Sequence, residues 1–182
     1  MKKSILSIFV LSIIASSTYA ASVHLKGGKR AEPTATDSGL VLLITGALSG
    51  LGNGDVLITL DVLGNPLASC INPGSGEHRP PGQNPAELAL TGVTSIPEEE
   101  IKNGNTPFSV ATIPPVTPIP GAPDCPNPRW REVIEDIAFT AATITVEQPE
   151  GFTVLTVSCT IDPPSSDGKI DRGDVSCTST RF

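Results

Sequence analysis

The chain has 182 residues and is acidic, with 19 Asp and Glu against 12 Lys and Arg and a formal net charge of −7. A chain of that size suits one domain built on one hydrophobic core. The negative balance excludes backbone-driven nucleic-acid binding, which needs a basic face to release phosphate counterions, and it argues against adsorption to anionic lipid.

Met1-Lys2-Lys3 is a short positive start, and Ile5 to Ala15 is an apolar run broken only by Ser7 and Ser12. Thr18-Tyr19-Ala20 then supplies small residues at −3 and −1 of a cleavage point before Ala21, so residues 1–20 read as a secretory signal peptide. The run is shorter than the roughly 20 apolar residues of a membrane span. No later stretch is long and apolar enough to be one. The mature chain is therefore expected to be exported, either periplasmic or secreted, with a net charge of −9 once Lys2 and Lys3 are removed.

Residues 21–38 are polar and include Lys26-Gly27-Gly28-Lys29-Arg30, which predicts a flexible mature N-terminus ahead of a single domain over 39–182. Leu40–Thr45 is the first strand candidate. Val41 to Gly52 (VLLITGALSGLG) then resembles the TGxxxGxG nucleotide loop of short-chain dehydrogenases, whose glycines let a helix N-terminus approach a pyrophosphate. That resemblance implies a following helix and a catalytic tyrosine. Instead Asn53-Gly54-Asp55 is a turn, a strand pattern resumes at Val56, and the lone tyrosine is Tyr19, inside the signal segment. Gly46–Gly54 is thus expected to be a glycine-rich bend between strands, and no cofactor is expected.

Val56–Val62 alternates with period two, placing Val56, Ile58, Leu60 and Val62 on one face. Leu88–Ser95 and Phe108–Ile113 are shorter candidates. Ile113 to Pro123 should be an extended polyproline crossover, strapped across a sheet edge by Cys125; its PxxP spacing, Pro115 to Pro118, needs no ligand role. In Cys125-Pro126-Asn127-Pro128-Arg129-Trp130 the single Trp is expected to plug one end of the fold, the alternative being a surface cation–π patch with Arg129 and Arg131, and Arg129–Asp136 has room for one helical turn. Ile137–Val146 and Phe152–Ile161 are rich in β-branched residues and are joined by Glu147-Gln148-Pro149-Glu150-Gly151, which predicts a long hairpin. With 17 Gly and 18 Pro punctuating nearly every segment, no normal helix fits. The expected fold is an all-β antiparallel sandwich, immunoglobulin-like or jelly-roll-like.

Export gives Cys70, Cys125, Cys159 and Cys177 a disulfide reading. Of three possible connectivities the sequential one is favoured, Cys70–Cys125 and Cys159–Cys177. The second closes a short polar loop, stabilising by about 3 kcal/mol on the loop-entropy argument. Structural zinc would need clustered ligands such as CxxC, and none is present.

Inside the second loop stand Asp162, Asp167, Asp171 and Asp174. Asp167, Asp171 and Asp174 form a weak calcium candidate, because hard oxygen ligands on a loop suit that ion, although the spacing departs from the EF-hand pattern. The same loop carries Arg172-Gly173-Asp174, the tripeptide of integrin ligands. A disulfide-pinned turn would hold its cation and anion at fixed separation, reducing the entropic cost of binding; the plain alternative is a turn bending at Gly173. Catalytic residues are not apparent. A triad would need His24 or His78 as base, with His78 in the glycine-rich loop 74–82, and no GxSxG elbow or SxxK pair supplies a serine. Glu98-Glu99-Glu100 reads as a solvated turn.

The expected function is a non-catalytic binding or structural role at the cell envelope or outside the cell, toward a protein or glycan surface. Two alternatives stand beside it. One is an adhesion ligand presenting Arg172-Gly173-Asp174, and the other is a secreted hydrolase of extracellular polymers.

Overall fold

The computed structural model describes residues 22–27, 31–72, 74, 86–116, 125 and 127–182. The expected signal peptide, His78 with most of its loop, and residues 117–123 of the polyproline stretch lie outside these residues.

Alternating apolar residues and frequent turns produce two antiparallel sheets packed face to face. The smaller sheet centres on β3 (Leu42–Ser49). Along one side of β3 runs β6 (Asn105–Ala111). Along the other lie β1 (His24–Leu25) and β2 (Thr34–Asp37), with β9 (Gly168–Lys169) outside β2. The larger sheet has the order β10 (Val175–Arg181), β8 (Thr153–Ile161), β7 (Arg131–Glu147), β4 (Val56–Ile71), β5 (Leu88–Ile96).

The core lies between the two inner faces. Val56, Ile58, Leu60 and Val62 of β4 project into it, as do Ile137, Phe139, Ile144 and Val146 of β7 and Leu155, Val157 and Ile161 of β8. From the smaller sheet come Leu42, Ile44 and Leu48 of β3 with Phe108 and Val110 of β6. Each such side chain, taken fully out of water, contributes about 1.5–3 kcal/mol of transfer free energy. Gly46 is required where it stands, because a Cβ there would come within 2.7 Å of the Phe108 ring.

Several expectations change in detail. The segment expected to be a flexible N-terminus, residues 21–38, is not a free tail where it is described: Val23 and Leu25 are buried, and Thr34–Asp37 pairs residue by residue with β3. Apolar alternation was too short there to show as a strand. Arg129–Asp136 holds no helical turn, since β7 begins at Arg131. Trp130 is half-buried and stands outside the core cluster, closing a turn in which its N–H donates to the Asn127 carbonyl. Phe152, expected to open the second strand of the hairpin, precedes β8 and is 57 % exposed.

The two longest strands exceed anything the pattern suggested. β4 has 16 residues and β7 has 17, and they pair from Leu57↔Glu147 to Ile71↔Arg131 with register shifts after Leu63 and Leu67. Pro66 is tolerated within β4 because β5 stops pairing at Gly64, and among the described residues no strand pairs with that side beyond it, so a missing donor costs little. Both disulfides form as expected. Cys70–Cys125 anchors the far end of β4, and Cys159–Cys177 joins directly opposed residues of β8 and β10.

The glycine-rich segment is strand as far as Ser49 and then bends, with Gly50 and Gly54 at positive φ. The bend is held by a residue that the sequence reading passed over. Gln148, buried in the β7–β8 turn, accepts from the Gly52 N–H through Oε1 (2.8 Å) and donates through Nε2 to the carbonyls of Gly52 (3.0 Å) and Gly54 (2.8 Å). Removing that amide leaves buried backbone groups without partners. Gln148→Ala is expected to lower unfolding stability by about 2–3 kcal/mol, read by urea denaturation as a shifted midpoint at unchanged slope.

Candidate functional site

β7 extends beyond its neighbour β8. Pairing with β8 begins at Ala141, so Asp136–Thr140 present a strand edge that β8 does not cover. Exposed backbone donors and acceptors inside a fold must find partners, and two loops supply them. The Ile137 N–H donates to the Gly39 carbonyl (3.0 Å), and the Ser165 N–H to the Phe139 carbonyl (2.9 Å). The Phe139 N–H donates to Ser165 Oγ (2.8 Å).

This convergence brings together three carboxylates from three parts of the sequence. Asp37 ends β2, Asp136 lies on β7, and Asp167 lies in the β8–β9 loop. One oxygen of each lies within 4.8 Å of the others, with Asp37 buried, Asp136 half-buried and Asp167 exposed. Gly39 sits beside them at φ +77°, where a Cβ would stand 3.6 Å from Asp167 Oδ1 and 3.8 Å from Asp136 Oδ1.

Asp37 is the best-held of the three. Its Oδ1 accepts from the Gly39 N–H at 2.9 Å, an Asx-turn, and its Oδ2 accepts from the Ser165 hydroxyl. Asp136 Oδ1 accepts from the Ile137 N–H at 2.9 Å. Burial raises the Asp37 carboxyl pKa above its ordinary 3.8; the bonds from Ser165 and Gly39 oppose that shift, and the charges of Asp136 and Asp167 add to it. All donor atoms here are hard oxygens, the type a divalent cation such as Ca²⁺ takes.

The expected calcium trio therefore divides. Asp167 joins Asp37 and Asp136, whereas Asp171 and Asp174 fall outside this group. The latter two line, with Asp167, Pro163 and Pro164, a pocket of about 140 Å³. The Asp37-Ser38-Gly39 signature of an Asx-turn was available to sequence reading. The approach of Asp136 was not, because it depends on which strand lacks a neighbour.

Arg172-Gly173-Asp174 forms a hydrogen-bonded turn entering β10. The Asp174 N–H donates to the Asp171 carbonyl at 3.0 Å, Arg172 and Gly173 are exposed, and Asp174 is half-buried. Of the histidines, His24 donates from Nδ1 to the Ser22 carbonyl, and His78 lies outside the described residues. Glu98–Glu100 forms an exposed 3-10 turn.

Fold and site together define a disulfide-stapled, two-sheet all-β protein carrying an aspartate cluster that runs from the buried Asp37 to the exposed Asp167. No family model and no curated protein matches the chain.

The raised Asp37 pKa has a defined effect on stability. Between the unfolded value of 3.8 and the higher folded one, the native state binds more protons than the unfolded chain, so stability falls as pH rises through that window. Asp37→Asn removes the effect and keeps an acceptor for Ser165. Relative to Asp37→Asn, the wild type should gain stability as pH is lowered from neutral into the carboxylate range. Urea titrations of both proteins at a series of pH values measure this directly.

Proposed function

We propose that the protein is an exported, non-catalytic β-sandwich module with a binding or structural role at the cell envelope or outside the cell. The observation that carries this reading is the pair of disulfides, Cys70–Cys125 at the end of β4 and Cys159–Cys177 between β8 and β10. Such bonds persist in oxidising compartments and are rare where thiols are kept reduced. Among the described residues no helix is long and apolar enough to cross a membrane, which fits release after the leader is removed. An acidic surface suits a protein or glycan partner better than a nucleic acid.

Fractionation of producing cells, with intact mass on each fraction, tests the reading. The expected species is exported, lacks residues 1–20 and is lighter by four thiol hydrogens. A full-length, reduced chain in the cytoplasm would overturn it, and turnover of polysaccharide or peptide panels would replace it with the hydrolase alternative.

A second reading is favoured by one observation, the closed turn that displays Arg172 and Gly173 at the mouth of a disulfide loop. In this reading the turn is an adhesion ligand. Asp174→Glu keeps the charge but lengthens the side chain, so it should abolish cell attachment to immobilised protein while thermal unfolding stays unchanged. Equal attachment by the two proteins removes this reading.

A further inference from the structure

Every sheet edge is a row of backbone donors and acceptors that can pair with another chain, and folded proteins blunt such edges with short strands, proline, bulges or covering segments. Four edges here are blunted. β1 and β9 are two residues long each. β6 contains Pro107. β5 is covered by the chain leaving β6: the Ile113 N–H donates to the Thr91 carbonyl at 3.0 Å, and Ala111 and Thr112 press so closely on Gly92 that a Cβ there would strike their backbone.

Among the described residues β10 carries none of these devices. It is seven residues long, lacks proline, and pairs with β8 without a register shift. The Asp162 N–H donates to the Asp174 carbonyl (2.9 Å) and the Phe182 N–H to the Val154 carbonyl (3.2 Å). Even-numbered residues of β10 therefore turn their backbone groups toward β8. By the alternation of antiparallel ladders, Val175, Cys177, Ser179 and Arg181 turn theirs outward. Among the described residues no strand pairs with that side. A groove of about 1060 Å³ runs beside it, floored by Cys177–Arg181 and walled by Ala31 and Glu32.

We propose that β10 is a self-association edge, at which a second copy of this chain adds its own β10 in antiparallel register about a two-fold axis through Thr178. The occupant follows from charge. β10 starts at an end bearing Asp162, Asp167, Asp171 and Asp174 against Lys169 and Arg172, a net negative end, and it finishes at Arg181. Antiparallel pairing sets each basic end against the partner's acidic end, while parallel pairing would set like against like. With Val175 opposite Arg181 and Cys177 opposite Ser179, all four outward-facing residues of each copy are paired, and the two five-stranded sheets join into one. An isologous contact of this kind closes on itself as a dimer.

The test is the mass of the purified, oxidised protein in solution as a function of concentration. The wild type should populate a dimer. Ser179→Pro deletes an outward N–H without touching the β8 ladder, so it should remain folded, with both disulfides formed, and be monomeric. Arg181→Glu should raise the dimer dissociation constant about two- to tenfold. Under mild oxidation Thr178→Cys should yield a covalent dimer, because the two-fold places Thr178 opposite itself, whereas Ser176→Cys should not. A wild type that stays monomeric into the high micromolar range overturns the proposal. So does a dimer that Ser179→Pro leaves intact, or equal cross-linking through positions 176 and 178.

Discussion

A strand that outruns its neighbour must still satisfy its backbone, and this requirement organises much of the molecule. β7 is 17 residues long, but β8 pairs with it only from Ala141 onward. Along Asp136–Thr140 the missing ladder is replaced by Gly39 and Ser165, which reach in from opposite ends of the sequence. The two loops then have fixed positions, and their acids come with them. Asp37 is buried because Ser165 and Gly39 hold its carboxylate there, and both of those residues are already committed to β7. The aspartate cluster is thus a by-product of backbone accounting as much as an arrangement of side chains.

The same principle explains why the smaller sheet depends on the larger. β2 and β9 are short, and their partners across the interface are the loops that finish the edge of β7. Gln148 does the equivalent work at the other end, tying the β7–β8 turn to the bend after β3 through three hydrogen bonds. Both ends of the sandwich are closed by polar contacts between sheets, while the middle is held by apolar burial.

The elements whose side chains alternate over a long span are legible in the sequence. Val56–Val62, Ile137–Val146 and the hairpin after it were legible because one face is almost wholly aliphatic. The disulfide pairing was legible from compartment and spacing. Less visible were β1 and β2, where only Leu25, Ala35 and Asp37 face inward, two of them small or polar. The continuation of β4 through Gly64-Asn65-Pro66 was hidden by residues that ordinarily mark turns; it survives because β7 runs beside it on one flank. Trp130 departs from expectation for the opposite reason, since an aromatic side chain does not by itself lie in a core. The aspartate cluster escaped because its members are 99 and 31 residues apart along the chain (Asp37 to Asp136, Asp136 to Asp167), and only Asp167 stood in an obviously acidic loop.

The Cys159–Cys177 bond also determines how the molecule carries a mechanical load. Tension applied at Phe182 can unzip Thr178 to Arg181 from β8 one pair at a time, and it then reaches Cys177. There the force leaves the backbone and passes through sulfur into Cys159, in the interior of the larger sheet. Everything between the two cysteines is bypassed. Ser165, Asp167 and the Arg172-Gly173-Asp174 turn sit on that slack loop, so their geometry stays as folded until the strands on either side of Cys159 give way.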